Sequence, residues 1–403
     1  MHFSRLKICI SQLPLIIVML LISPVLKAWE VSGYVGLESL AFIEAPLHDP
    51  QHQHYISGVI EAELYHEWDN GAQSFAFVPY FRGSQHDSQR THFDIRELTW
   101  LKSAEEWELR LGIRKVFWGV TESNHLVDVI NQRDTVENSD GEDKLGQPMI
   151  NLALIQDWGT VDLFVLPGFR PRTFTGEEGR LRPEPAVSGN LAEYDKSGFA
   201  RQVAYAIRWA HSMGDWDMGL SHFYGTSRDP VFLVKATPDG QVNLVPYYQN
   251  INQTGLDVQA TLDSLLLKWE AIVRVSETET AFASTAGFEY TFFNIASSGL
   301  DIGVLAEYLY DSRGLSAPTV GQDDFFVGAR LAFNDVQDMQ ILAGVMVDRV
   351  SQAQFYNIEA SRRFFESFKL EVEARFFNGA TKKYPDYFLR QDSHFRMELS
   401  YHF

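Results

Sequence analysis

The chain has a single cysteine, Cys9, among 403 residues. One thiol cannot form an internal disulfide, and beyond residue 28 no thiolate is left to hold a metal. Long apolar runs are missing too. No stretch after residue 28 approaches the roughly 18 consecutive apolar residues that a spanning helix needs, so transmembrane helices are excluded. Positive charge is scarce: 34 Lys and Arg against 53 Asp and Glu give a formal charge of −19. That balance repels phosphate backbones and excludes nucleic acid as a partner. The chain also has no Gly-x-Ser-x-Gly elbow, no Gly-rich phosphate loop and no internal repeat. Nothing marks an enzyme or calls for a cofactor or metal.

The last eleven residues alternate strictly. Phe395, Met397, Leu399, Tyr401 and Phe403 are apolar, with His394, Arg396, Glu398, Ser400 and His402 between them. A soluble sandwich would leave such a strand as an aggregating edge. A transmembrane barrel turns the apolar set to lipid and the polar set to the lumen. The tail resembles the C-terminal assembly signal of gram-negative outer-membrane barrels, which implies the barrel-assembly machinery as a partner. At the other end, Arg5 and Lys7 precede an apolar run from Leu13 to Ile22, followed by Ser23-Pro24 and Ala28. This order reads as a secretory signal over residues 1–28, with the barrel occupying 29–403. Losing Arg5, Lys7 and Lys27 takes the charge from −19 to −22. The barrel begins directly after this signal, with no hatch or energy-coupling segment expected before it.

Between the ends, segments with period-two patterning recur, among them Trp107–Ile113, Leu265–Val275, Phe282–Phe292 and Leu300–Tyr310. They number about 18, or 16 if the short connections near Glu277 and Ser351 are misread. Short Asn/Asp/Gly-rich turns such as Asp69-Asn70-Gly71-Ala72 alternate with long connections. Porin-type barrels sort their loops in this way, short on the periplasmic side and long outside. An even count places both termini in the periplasm. Trp68, Trp107, Trp158, Tyr224, Tyr310, Phe364 and Phe377 fall at strand ends, as interfacial girdles require. The fold class expected is therefore all-β, a transmembrane antiparallel up-and-down barrel.

The third outer connection, Val116 to Pro148, carries the most pattern. A helix is expected over Glu122–Ile130, capped by Thr121 and apolar on the side of Leu126, Val129 and Ile130. Trp118-Gly119 after a strand, then Asn131-Gln132-Arg133-Asp134, resembles a poorly characterised family of gram-negative outer-membrane barrels with a Trp-Gly and an Asn-Pro-x-Asp-like run. Gln132 stands where that family's proline would be. The resemblance implies a porin-like barrel whose third outer loop folds into the lumen. The constriction is expected to set loop residues Glu122, Asp128, Arg133 and Asp134 near wall arginines Arg82, Arg96, Arg110 and Arg114. Alternation puts Arg110 and Arg114 on the lumen face, opposite Leu109, Leu111 and Ile113. The same rule turns Leu98 and Leu266 inward. His48, Asp49, His52 and His54 read as a solvated loop. Acidic pairs such as Glu177-Glu178 and Asp323-Asp324 suit divalent cations in a lipopolysaccharide layer.

The function expected is a channel for passive passage of small hydrophilic or charged solutes. Two alternatives stay open: an export or uptake barrel for a polysaccharide or lipid-like substrate, and a surface barrel that binds a ligand without transport. Outer-membrane lipid and lipopolysaccharide would surround the protein, and assembly into a homo-oligomer is compatible with the pattern.

Overall fold

The computed structural model describes residues 29–195, 202–236, 240, 242–317 and 321–403. The expected signal over 1–28 lies outside the described residues. The strands are β1 (Glu30–Phe42), β2 (His54–Trp68), β3 (Gln73–Ser84), β4 (His92–Ser103), β5 (Trp107–Arg114), β6 (Gln147–Gln156) and β7 (Gly159–Leu166). Then come β8 (Glu193–Tyr194), β9 (Ala204–Met213), β10 (Trp216–Thr226), β11 (Val231–Ala236), β12 (Val242–Tyr248), β13 (Asn250–Leu262) and β14 (Leu265–Val275). The last are β15 (Thr280–Phe292), β16 (Asp301–Asp311), β17 (Asp323–Ala332), β18 (Gln340–Asp348), β19 (Gln354–Phe364), β20 (Phe368–Asn378) and β21 (His394–His402).

Eighteen of these form one closed antiparallel sheet; β8, β11 and β12 form a separate small one. Closure comes from β1 on β21, in register from Tyr34 opposite His402 to Phe42 opposite His394. Every one of the 18 alternating segments is a barrel strand, so the 16-strand option falls away. Closure also removes the sheet edge that the C-terminal pattern would otherwise expose. Phe395, Met397, Leu399, Tyr401 and Phe403 point outward, each 45–50 % exposed. His394, Glu398 and Ser400 are buried on the inner face.

The turns at one end are tight. In the first, Asp69, Asn70 and Gly71 all have positive φ, between 54° and 83°. Asn, Asp and Gly tolerate that region, and its twist matches the flanking strands. The opposite end carries the long connections, two of which hold the small sheet. That sheet was not anticipated, although Val231–Ala236 and Val242–Val245 are short apolar runs flanking the turn-like sequence Pro238-Asp239-Gly240.

Two residues lie on a different face from the one expected. Register between β3 and β4 shifts between Val78 and Pro79, which pair with Glu97 and Ile95 and leave Arg96 as an extra residue. This bulge flips the parity beyond it. Leu98 therefore pairs with Phe77 and Ile113 on the outer face, not the lumen. Opposite the bulge's far side, Gly112 has φ +134°, and a Cβ there would overlap the Leu98 carbonyl oxygen. Phe377, expected in a girdle, pairs with Phe355 on the inner face, ring centroids 5.1 Å apart. Trp68, Trp158 and Tyr310 are exposed on the outer surface as girdles require.

Candidate functional site

Residues 115–146, between β5 and β6, hydrogen-bond to inward side chains on opposed parts of the barrel wall. The segment contains no helix; residues 122–130 are turns and coil. A helix over these residues would send the Val127 N–H to the Ser123 carbonyl, while the N–H groups of its first turn would stay open to other acceptors. Here Glu270 on β14 accepts from the N–H of Val120 (2.7 Å), Thr121 (3.0 Å) and Val127 (3.2 Å), and from the Thr121 hydroxyl (2.8 Å). Glu307 on β16 accepts from the N–H of Glu122 (2.7 Å) and Ser123 (2.8 Å). Thr121, expected as a cap, instead sets its one hydroxyl proton between Glu270 Oε1 and the Asn124 carbonyl. Of these wall contacts only the one to Val127 displaces a helical bond; the others fasten the start of the segment.

The apolar side expected of Leu126, Val129 and Ile130 exists without a helix. With Trp118 and Val127 it packs on inward Met149, Phe164, Phe223 and Ile272. Val127 and Ile130 are fully buried, and each such side chain contributes about 1.5–3 kcal/mol. Gly119 follows from this docking. Its φ is +134°, and a Cβ would meet Glu270 Oε1 at 2.9 Å and His125 Nδ1 at 3.1 Å. Asn131 ties the base of the loop: its Oδ1 accepts from the Val116 N–H at 2.9 Å, and its Nδ2 donates to the Arg114 and Leu145 carbonyls. The Trp-Gly and Asn-x-x-Asp residues therefore have physical roles in this chain.

On the other wall the loop meets arginines. Arg96 donates to Asp134 Oδ2 at 2.7 Å, and Arg82 to Glu137 Oε2 at 2.8 Å. Burial pushes the Asp134 carboxyl up, but His92 and Arg96 outweigh it and hold its pKa at about 2. Glu122 reaches the opposite side, 2.8 Å from Arg330 and 3.5 Å from Lys268. Asp128 pairs within the loop, with Lys144 at 2.9 Å. Arg133 turns toward Asp229 at 3.6 Å, beside Arg172 and Arg274. Arg110 and Arg114 share the inner face but not the loop's acids. Arg110 pairs with Glu108, and the guanidiniums of Arg110 and Arg114 both donate to Asn151 Oδ1. Of the expected loop–wall pairs, only Asp134 with Arg96 forms between named partners.

Sequence reasoning missed Glu38, Arg90, His92, Glu270, Glu307 and Arg396, while Glu137, in the loop's acidic run, does meet the arginine wall at Arg82. Glu38, fully buried on β1, is shared by Arg82 (3.3 Å), Arg90 (2.5 Å) and Arg396 (2.7 Å). Shared carboxylates extend this set. Arg82 also reaches Glu398. Arg96 and Arg170 share Asp94. Arg375 and Arg396 share Glu373, and Arg375 holds Asp140 at 2.8 Å with Glu359 at 4.0 Å. Among the described residues this network joins six guanidiniums to eight carboxylates: Glu38, Asp94, Asp134, Glu137, Asp140, Glu359, Glu373 and Glu398. A polar cavity of about 240 Å³ lies between the loop and this wall, lined by Tyr34, Glu61, Arg82, Lys115, Asp143 and Glu398 among others. Burial, with Asp140 and Glu137 nearby, raises the Asp143 carboxyl to about 7.

Three comparisons bear on this architecture. The fold is similar to that of Pseudomonas aeruginosa OccK8 (OprE), with a TM-score of 0.52 at 12 % identity over 94 % of this chain and 98 % of that one. P. aeruginosa OccK5 (OpdH) gives 0.52 at 10 % identity over 93 % and 98 %. P. aeruginosa OpdQ gives 0.51 at 12 % over 93 % and 98 %. At such identity the likeness is one of fold. No protein-family description and no curated protein sequence matches the chain.

Proposed function

We propose that this protein is an outer-membrane, porin-like channel for passive passage of small hydrophilic or charged solutes, narrowed by residues 115–146. The carrying observation is a closed barrel, apolar outside, whose charged lumen is crossed by a loop bound to opposed walls. An apolar exterior suits lipid, and closure satisfies every strand edge within it. Both termini then lie in the periplasm, and residues 1–28 serve as the secretory signal. The walls around the 240 Å³ cavity carry guanidinium, ammonium and carboxylate groups, so selection would act on charge as well as size. Glu122, Asp134, Arg82 and Arg96 belong to that constriction in this reading. Arg110 and Arg114 line the wall beside it, and Asp128 and Arg133 shape the loop.

The test is single-channel recording in planar bilayers. Removing Glu122–Asp134 deletes the docked side of the loop and should raise conductance. The wild type should give discrete ion-conducting steps. A folded barrel with no conductance would return the protein to a non-transporting ligand-binding role, and conductance that ignores the deletion would remove this loop from the constriction. The lipid-like alternative loses support from Leu98, which faces lipid, and keeps Leu266 on the inner face.

A further inference from the structure

We propose that His92, Asp134 and Glu137 form a site for a divalent transition-metal ion of the zinc class, which fastens the loop to β4. Candidate ligand atoms of the three residues lie within 4.8 Å of one another. His92 Nε2 is 3.2 Å from Glu137 Oε1 and 3.6 Å from Asp134 Oδ2. A tetrahedral ion with bonds of 2.0–2.1 Å separates its ligands by roughly 3.3 Å, so little movement is needed.

The surroundings prepare these atoms. His92 Nδ1 is 3.1 Å from the Arg90 carbonyl. A carbonyl at Nδ1 selects the tautomer that leaves the Nε2 lone pair free for a metal. Glu137 Oε2 is occupied by Tyr80 and Arg82. Its other oxygen, Oε1, is buried with no hydrogen-bond partner, as is His92 Nε2. The Glu137 side chain is 5 % exposed. A buried carboxylate oxygen without a hydrogen bond is costly, and here it lies 3.2 Å from an imidazole nitrogen that also makes none. Asp134 Oδ2 accepts from Arg96, yet a carboxylate oxygen has a second lone pair to offer.

Charge gives an independent argument. The ion-pair network holding Asp134 and Glu137 has two more carboxylates than guanidiniums among the described residues. One dication balances that excess, while a protonated His92 supplies half of it. Histidine with two carboxylates suits zinc and its first-row neighbours better than calcium. A fourth position would go to water from the adjoining cavity, which Glu137 also lines.

The test is a zinc titration of the full barrel in detergent against a chromophoric chelator, with heat-modifiable gel mobility confirming the fold. The wild type should take up one tight Zn²⁺. H92Q and E137Q should each bind at least about tenfold more weakly, whereas H52Q, in a surface loop, should not. Co²⁺ should show the intense visible bands of a four-coordinate site in the wild type alone. A wild type that takes up no tight metal overturns the proposal, whatever the variants do. Wild-type affinity retained in H92Q overturns it too, and leaves His92 as an imidazolium between two carboxylates. Metal binding is read without current, so its failure leaves the channel reading standing.

Discussion

Replacing Glu270 with Gln tests whether wall carboxylates hold the loop. Gln keeps the shape and removes the charge. Its carbonyl can stand at the Oε1 position, where it still accepts from Val120, Thr121 and the Thr121 hydroxyl. Its amide then faces the Val127 N–H, which now donates to Oε2, so two donors oppose each other. A buried N–H left unpaired costs about 1–3 kcal/mol, and three bonds to a charged acceptor become neutral ones, each losing about 1 kcal/mol. The docked state of residues 119–127 should weaken by roughly 4–6 kcal/mol. Every 1.4 kcal/mol is about a tenfold change in population. Even if other anchors absorb half of the loss, amide hydrogen exchange at Val120, Thr121 and Val127 should accelerate by roughly 30- to 140-fold. Exchange within the barrel ladder should not change, because Glu270 donates no ladder bond through its side chain. Single-channel records should show added open-level noise. Wild-type protection at these three amides in a folded E270Q barrel would refute the claim that Glu270 anchors the loop.

Other perturbations read different parts of the structure. Deleting Phe403 removes the last pair of closure bonds, Phe403 N–H to the Gly33 carbonyl at 3.0 Å and Gly33 N–H to the Phe403 carbonyl at 3.2 Å; assembly should suffer, seen as lost heat-modifiable mobility, and normal membrane yield would count against it. Burial lowers the His125 pKa, but Glu142 at 3.0 Å and Glu270 at 4.0 Å outweigh it and raise it to about 9. Its stabilising charge is therefore fully present below about 6.5 and is lost as pH rises through about 9. Loop protection should fall over that window and stay flat in H125Q; a wild-type profile that is flat from pH 6 to 10 would refute the pairing.

The barrel was legible because its signals are local. Alternation assigns a face within each strand, and loop lengths sort by parity, so the 18 strands and their up-and-down order follow without long-range information. What failed was local as well. The helix over Glu122–Ile130 was a fair reading of Thr121 and the apolar side. No local rule shows that Glu270 and Glu307, more than 140 residues away, bind the backbone of this segment. Leu98 was misplaced for a related reason. A bulge leaves no mark in the pattern, since Phe93–Leu101 reads as an unbroken strand, yet one extra residue at Arg96 reverses every side chain after it.

The site was half legible, and the missing half has a common cause. Alternation names the inward charges, but pairing depends on their heights, which follow from register and shear around the whole barrel. Once register is known, the pairing becomes arguable. Glu38 lies opposite Glu398 and Ser57, so its compensation must come from long side chains reaching diagonally, as Arg82, Arg90 and Arg396 do. Glu270 lies opposite Asp257 and Thr285, and Glu307 opposite Gly287 and Phe326. Neither has a lateral cation. A buried carboxylate with no neighbouring cation needs donors from elsewhere, and in a barrel lumen the remaining source is the backbone of a loop that enters it. In this barrel Glu270 and Glu307, with which no arginine or lysine pairs among the described residues, hold the docked loop backbone, and Glu38, reached diagonally by three arginines, marks the wall the loop faces.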